Sequence, residues 1–335
     1  GIEFNQDKLE DNMWGYHRTV DQKVNIGSAF FQNEWKNEHW GFLIGGRLDK
    51  HNLIDHVIFS PRANLRYNPT ENINLRFSYS SGFRAPQAFD EDLHVENVGG
   101  NVAMVELADN LKEERSQSLS ASADIYHRFG AFQVNFLVEG FYTKLSDVFA
   151  LTDGEIVDGI LTRTRYNAPG ARVMGLTLEG KMAYLTKFQL QAGITLQQSH
   201  YSEPHVWNPD APAVKKMMRT PNTYGYFTAT YTPIKPLSIA LSGTYTGSML
   251  VPHEPVPGFL EKPITVNTKD FFDIGLKAAY DFKLYKSMNL QVNAGVQNIF
   301  NAYQNDFDKG ADRDSGYIYG PSLPRSFFAG VKISY

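Results

Sequence analysis

The chain ends on an alternating segment, Arg325-Ser-Phe-Phe-Ala-Gly-Val-Lys-Ile-Ser-Tyr335, and its last residue is aromatic. Phe327, Ala329, Val331, Ile333 and Tyr335 share one face, while Phe328, Gly330, Lys332 and Ser334 share the other. A period of two is the pattern of a strand with one apolar face. A chain that stops inside such a strand exposes a row of unpaired amides and carbonyls. The usual remedy is pairing with the first strand of a closed barrel. The terminus therefore points to an all-β fold, an antiparallel up-and-down transmembrane barrel with 325–335 as its closing strand.

Composition is compatible with that reading. The 335 residues include no cysteine and 13% aromatics, and mean hydropathy is -0.36. No apolar run approaches the roughly 20 residues of a spanning helix. A barrel that offers only alternate residues to lipid also averages out as polar. The net charge of -4 argues against a nucleic-acid partner, which calls for a basic surface. Without cysteine there is no disulfide framework and no thiolate metal site. The chain opens at Gly1 with no signal peptide, so the expectation is that processing or truncation has removed its beginning.

The alternation recurs upstream. Leu290, Val292, Ala294 and Val296 interleave with Asn289, Gln291, Asn293 and Gln297; Leu237, Ile239 and Leu241 interleave with Ser238 and Ser242. The same spacing runs through Phe188-Leu190-Ala192-Ile194-Leu196, Phe132-Val134-Phe136-Val138 and Ile73-Leu75-Phe77-Tyr79. About thirteen such strands are expected, the first near residues 22–35, with 1–21 as the end of a loop. Connectors are of two kinds. Short ones fall at 36–39, 68–72, 128–130, 186–187, 233–236 and 284–287; long ones at 83–113, 150–169, 202–221, 249–270 and 301–324. Short turns on one rim and long loops on the other are the outer-membrane arrangement. A large soluble all-β protein is the competing reading, but it has no reason to sort its loops. Trp35, Trp40, Tyr67, Tyr142, Tyr184, Tyr201 and Tyr231 suit two interfacial girdles. Bacterial single-chain barrels have an even number of strands, so thirteen implies part of a barrel.

Several segments carry a family resemblance. Ser78-Tyr-Ser-Ser-Gly-Phe-Arg-Ala-Pro86, the acidic Phe89-Asp-Glu-Asp-Leu-His94 and Asn110-Leu-Lys-Glu-Glu-Arg-Ser116 resemble the Phe-Arg-Ala-Pro box and Asn-x-x-Leu-x-x-Glu region of TonB-dependent outer-membrane receptors. Asn167-Ala-Pro-Gly-Ala-Arg-Val-Met-Gly-Leu-Thr-Leu-Glu-Gly180, Val296-Gln-Asn-Ile-Phe-Asn-Ala-Tyr303 and the final strand extend the likeness over nearly the whole chain. The resemblance implies a complete barrel of about 22 strands closed by a plug, with 1–335 as its carboxy-terminal portion and the plug absent. It implies import of a scarce nutrient (an iron-siderophore, haem or cobalamin-type ligand, or alternatively a glycan or other large nutrient) and no bond chemistry. It also implies a Gram-negative outer-membrane setting. The TonB complex would be engaged through the absent plug, with outer-membrane lipid, the barrel-assembly machinery and a surface lipoprotein as further partners. Phe327 and Tyr335 would then carry the assembly signal. An outer-membrane enzyme and a passive porin stand as other classes, although no Gly-x-Ser-x-Gly motif is present.

Ligand-binding candidates lie in the long loops. In haem receptors of the family a histidine between the two boxes ligates iron, and His94 occupies that interval. Arg84 ends the first box, and His200, His205 and Trp207 share another loop. Asp90 and Asp92, with His94, form a metal-ligating candidate, since carboxylates suit calcium and neutral imidazole suits iron. No cofactor is required; a transported iron, haem or cobalamin ligand and a loop calcium are the groups such loops could hold. Asp306, Asp308, Asp312 and Asp314 have the crowding of an oxygen-rich cation site but lack a strict calcium-loop pattern.

Overall fold

The computed structural model describes residues 1–16, 18–86, 102–157, 160–285 and 287–335. Its strands in chain order are β1 (Ile2–Met13), β2 (Arg18–Lys36), β3 (Trp40–His51), β4 (Val57–Thr70), β5 (Ile73–Arg84), β6 (Val102–Leu107), β7 (Glu114–Phe129), β8 (Phe132–Ser146), β9 (Val148–Val157) and β10 (Ile160–Ala168). There follow β11 (Ala171–Tyr184), β12 (Phe188–His205), β13 (Val214–Lys216), β14 (Thr223–Ile234), β15 (Leu237–Thr246), β16 (Leu250–His253), β17 (Ile264–Asn267), β18 (Phe271–Tyr285), β19 (Met288–Gln297) and β20 (Ser326–Ser334). The main sheet is a meander, β1-β2-β3-β4-β5-β7-β8-β11-β12-β14-β15-β18-β19-β20, with β13 joined to β12. Strands off this path are insertions in the long loops.

Among the described residues the path has fourteen strands, one more than alternation alone indicates. Residues 2–13, expected as loop, pair antiparallel with residues 18–29 throughout. Beyond Phe4 the outward positions Gln6, Lys8, Glu10 and Asn12 are polar, so this hairpin shows no apolar stripe to read. With an even count, the parity argument for a partial barrel lapses. Among the described residues β1 pairs only with β2 and β20 only with β19, leaving the sheet open at both edges. Phe327 and Tyr335, 79% and 102% exposed, lie on one of them.

Register keeps each face uniform across strands. Leu241, Leu276, Val296 and Phe327 are successive cross-strand partners on one face. Thr228, Ser242 and Gly275 are successive partners on the other. A one-residue slip would exchange the faces, so the pattern pins the register. The apolar face is the one offered to lipid, and the polar face lines the interior. At the short-turn rim Trp40 stacks on Tyr67 at 4.2 Å and Phe132 tilts against Tyr184 at 4.6 Å, forming one girdle. Gly130, at φ +57°, makes the turn between β7 and β8. Tyr201 departs from the expected girdle: its partner is Ala171, on the interior face.

The long-loop rim is more structured than expected. Residues 150–169 form most of an antiparallel β9/β10 hairpin, and β6 adds to β10 in parallel. The alternation Leu161-Thr-Arg-Thr-Arg-Tyr166, rich in β-branched and aromatic residues, accounts for the strand. Residues 249–270 likewise hold the β16/β17 hairpin. Met249, Val251 and Tyr317 form a small buried cluster there, packed against Val266 and Tyr319.

Candidate functional site: a cationic, aromatic recess at the outer rim

β5 ends at Arg84, directly opposite Glu114 of β7. Glu114 Oε2 accepts the backbone N–H of Phe149 at 3.0 Å, which holds the start of β9 beside Arg84. The Phe149 ring lies 5.6 Å from the Arg84 guanidinium carbon and 5.8 Å from that of Arg165 in β10. Such spacing is attractive for a cation above a π face. Asn167 locks this corner: its Nδ2 donates to the carbonyls of Lys112 and Asp147, and its Oδ1 accepts the Lys112 N–H.

The facing wall comes from the end of β12. The Tyr201 and His205 rings are 4.7 Å apart, and Trp207 follows. Pro252 and Glu254, at the end of β16 and just beyond it, supply a third side. Together these residues enclose about 510 Å³, lined by Arg84, Arg163 and Arg165 against the carboxylates Glu203 and Glu254. The volume lies in the usual range for a small-molecule pocket. Asn208 Nδ2 donates to Glu254 Oε2 at 2.8 Å, so that carboxylate is engaged with its own wall. Burial pushes the His205 imidazole below its ordinary pKa and the Tyr201 phenol above. At neutral pH the recess thus presents neutral imidazole, phenol hydroxyl and guanidinium groups. Trp207 Nε1–H is buried without a hydrogen-bond partner among the described residues, an unmet donor that an acceptor on a ligand would satisfy.

Of the residues singled out from sequence, Arg84, His205 and Trp207 line this recess together. His200 does not. Its cross-strand partners Arg172 and Lys216 place it on the exterior face, because strand β12 continues through residue 205 and successive side chains alternate. Asp90, Asp92 and His94 lie outside the described residues. Among the described residues no three His, Cys, Asp or Glu side chains gather to hold a metal ion.

The aspartates of the last loop are occupied in structural contacts. Asp308 Oδ2 pairs with His253 Nε2 at 2.9 Å, and both side chains are 7% exposed. His253 stacks on Tyr317 with centroids 3.8 Å apart. Asp314 accepts the backbone N–H groups of Glu254 and Gly316, and Asp306 accepts the Tyr319 hydroxyl. Burial, then Asp306, drives the Tyr319 phenol far above its ordinary pKa. The carboxylates therefore brace the loop and clamp it onto the end of β16. A second clamp sits beside the first box. Burial raises the Glu113 carboxyl, but a backbone hydrogen bond, Arg115 and His56 outweigh it and leave the pKa lowered.

Phe149, Arg163, Arg165 and Tyr201 were missed as recess residues by sequence reasoning. The signal lay in the alternation of residues 161–166, which sets Arg163 and Arg165 on one face of a strand.

The family model described as TonB dependent receptor-like, beta-barrel matches residues 3–299. The siderophore receptor PirA from Acinetobacter baumannii superposes with TM-score 0.66 at 16% identity, over 93% of this chain and 46% of that one. The ferric enterobactin receptor PfeA from Pseudomonas aeruginosa, in complex with BCV-L6, gives 0.68 at 17%, over 98% and 50%. The FrpB iron transporter from Neisseria meningitidis gives 0.62 at 17%, over 93% and 45%. The chain thus spans about half the length of these solved chains, and at such identities the likeness concerns the fold. A search of curated proteins finds no match.

Proposed function

This chain belongs to the TonB-dependent receptor-like β-barrel family and lies in the outer membrane, and from that premise we propose that the receptor imports an anionic iron chelate, captured first in the outer-rim recess. The observation carrying the proposal is the convergence of Arg84, Arg163 and Arg165 with Phe149, Tyr201 and Trp207 around one cavity. Guanidinium forks match carboxylate and phenolate oxygens, and aromatic faces match the flat groups that hold them. Siderophore and ferric enterobactin receptors among the structural neighbours support the same ligand class.

The work is binding and release, with no bond made or broken, so the chain acts as a transporter and not as an enzyme. Energy comes from the TonB complex through a plug. A second reading, haem, has one observation in its favour: the half-buried imidazole of His205, its pKa lowered by burial, faces the recess, and neutral imidazole ligates haem iron.

Fluorescence titration of the receptor with a ferric catecholate chelate and, separately, with haemin tests both. Removing two cations in Arg84→Ala/Arg163→Ala weakens chelate binding by a hundredfold or more, each charge-assisted contact contributing about 1.5–3 kcal/mol. His205→Ala leaves chelate binding nearly unchanged. Unaltered chelate affinity in the double variant defeats the proposal, and a loss of haemin binding confined to His205→Ala would establish the second reading.

A further inference from the structure

The exterior face of the sheet carries a row of basic side chains fixed by register. Lys144 of β8 is the Cα partner of Arg172 in β11. Arg172 is also opposite His200 of β12, and His200 is opposite Lys216 of β13. Four adjacent strands thus bring one basic residue each to the same level. Like charges placed directly opposite one another destabilise a sheet. Among the described residues no carboxylate pairs with Lys144, Arg172 or Lys216.

The depth of the row is set by the strand itself. Lys144 lies twelve residues beyond Phe132, the girdle residue at the opposite end of β8. At the strand rise and tilt of a membrane barrel this is about 30 Å along the membrane normal. The row therefore stands at the outer headgroup level.

Beneath it the apolar face is hollowed. One level runs Phe77, Ala121, Gly140, Leu176 and Leu196 in successive pairs, so two small residues sit between large ones. The resulting groove has a volume of about 880 Å³ and is bordered above by Tyr142, Met174 and Gln198. A Cβ added at Gly140 would meet nothing within 4 Å.

We propose that this face holds one phosphorylated, acylated lipid of the outer leaflet, its phosphate on Lys144, Arg172, His200 and Lys216 and an acyl chain in the groove over Ala121 and Gly140. The two features are adjacent and ordered as a lipid is ordered, charge at the interface and hydrocarbon below. A phosphate relieves the repulsion in the row, and a chain fills a depression that bulk lipid packs poorly. His200, displaced from the recess by the strand's alternation, becomes a hydrogen-bond donor in this site.

The test uses protein extracted from outer membranes in mild detergent and examined by native mass spectrometry, with added bis-phosphorylated glycolipid or its dephosphorylated form as probes. The phosphorylated form should be retained in preference to the other. Lys144→Gln/Arg172→Gln/Lys216→Gln should lower its affinity by about fivefold for each cation removed. Gly140→Leu, which enters open space and fills the groove, should lower it as well. Heat-modifiable migration on gels checks that both variants remain folded barrels. Equal retention of the two glycolipids, or unchanged retention in either folded variant, overturns the proposal. A site for free phosphate alone would respond to the charge substitutions and ignore Gly140→Leu.

Discussion

The membrane-spanning sheet and the outer rim of this chain keep apolar side chains from water in opposite ways, and the contrast explains what each can do. In the sheet, residues such as Phe282, Leu276 and Val292 are 45%, 39% and 41% exposed, because their solvent is lipid. Nothing in that region needs a protein core. At the rim, Val251 and Tyr317 are 0% and 4% exposed and bury polar partners beside them, as a small soluble domain does. The sheet is held by ladders and by a uniform face, so it is regular and tolerant. The rim is held by particular pairs, His253 with Asp308 and Tyr319 with Asp306, so it is irregular and specific. Ligand chemistry belongs where particular side chains are fixed, and the recess lies there.

The contrast breaks most sharply at Asp308. Asp308→Ala leaves His253 buried beside an empty place and removes the acceptor of the Asp314 N–H, a loss of two hydrogen bonds to a buried carboxylate at about 1.5–3 kcal/mol each. Limited proteolysis should then cut within residues 301–324 while heat-modifiable migration of the barrel stays normal. Joint loss of both would show that rim and sheet fold as one unit. A smaller effect is expected within the sheet. Val292→Arg places a charge in the lipid-facing row between Tyr280 and Val331, at about 2–4 kcal/mol if at mid-membrane. Gln291→Ala, one residue away on the interior face, should stay within about 0.5 kcal/mol. Urea unfolding in lipid vesicles measures both, and equal effects would refute the assignment of faces.

The smallest effect is a pH response confined to the rim. His51 is fully buried, its Nδ1 accepts the Leu53 N–H at 3.0 Å, and burial lowers its pKa. The folded state therefore favours neutral imidazole. Its contribution is complete above the unfolded value of about 6.5 and declines as pH falls below it, because the unfolded chain takes up the proton first. The amide protection factor at Leu53, corrected for the intrinsic slowing of exchange with falling pH, should drop between pH 7 and pH 5 while that at Val292 does not.

Strand positions, faces and short turns were legible in the sequence because each depends on neighbours two residues apart or on a turn of a few residues. The terminal segment 325–335 and the repeats upstream needed no tertiary information to be read as lipid-facing strands. The exceptions have local causes. β1 is polar along its outward face beyond Phe4, and β9 and β10 lie in a stretch whose Pro and Gly residues outweighed its alternation. The family boxes added Arg84 as a candidate, but their role in drawing Phe149 beside it through Glu114 is a contact between separate strands.

By itself the sequence determined a barrel wall: period-two patterning fixes which side chains meet lipid, and one register satisfies all the strands. Tertiary structure alone decided the sites, since Arg84, Arg165, His205 and Trp207 belong to elements far apart in the chain whose approach depends on inserted hairpins. It likewise moved His200 out of the recess and into a basic row. Patterning acts locally and repeats, whereas a site depends on the single meeting of segments that no short-range rule connects.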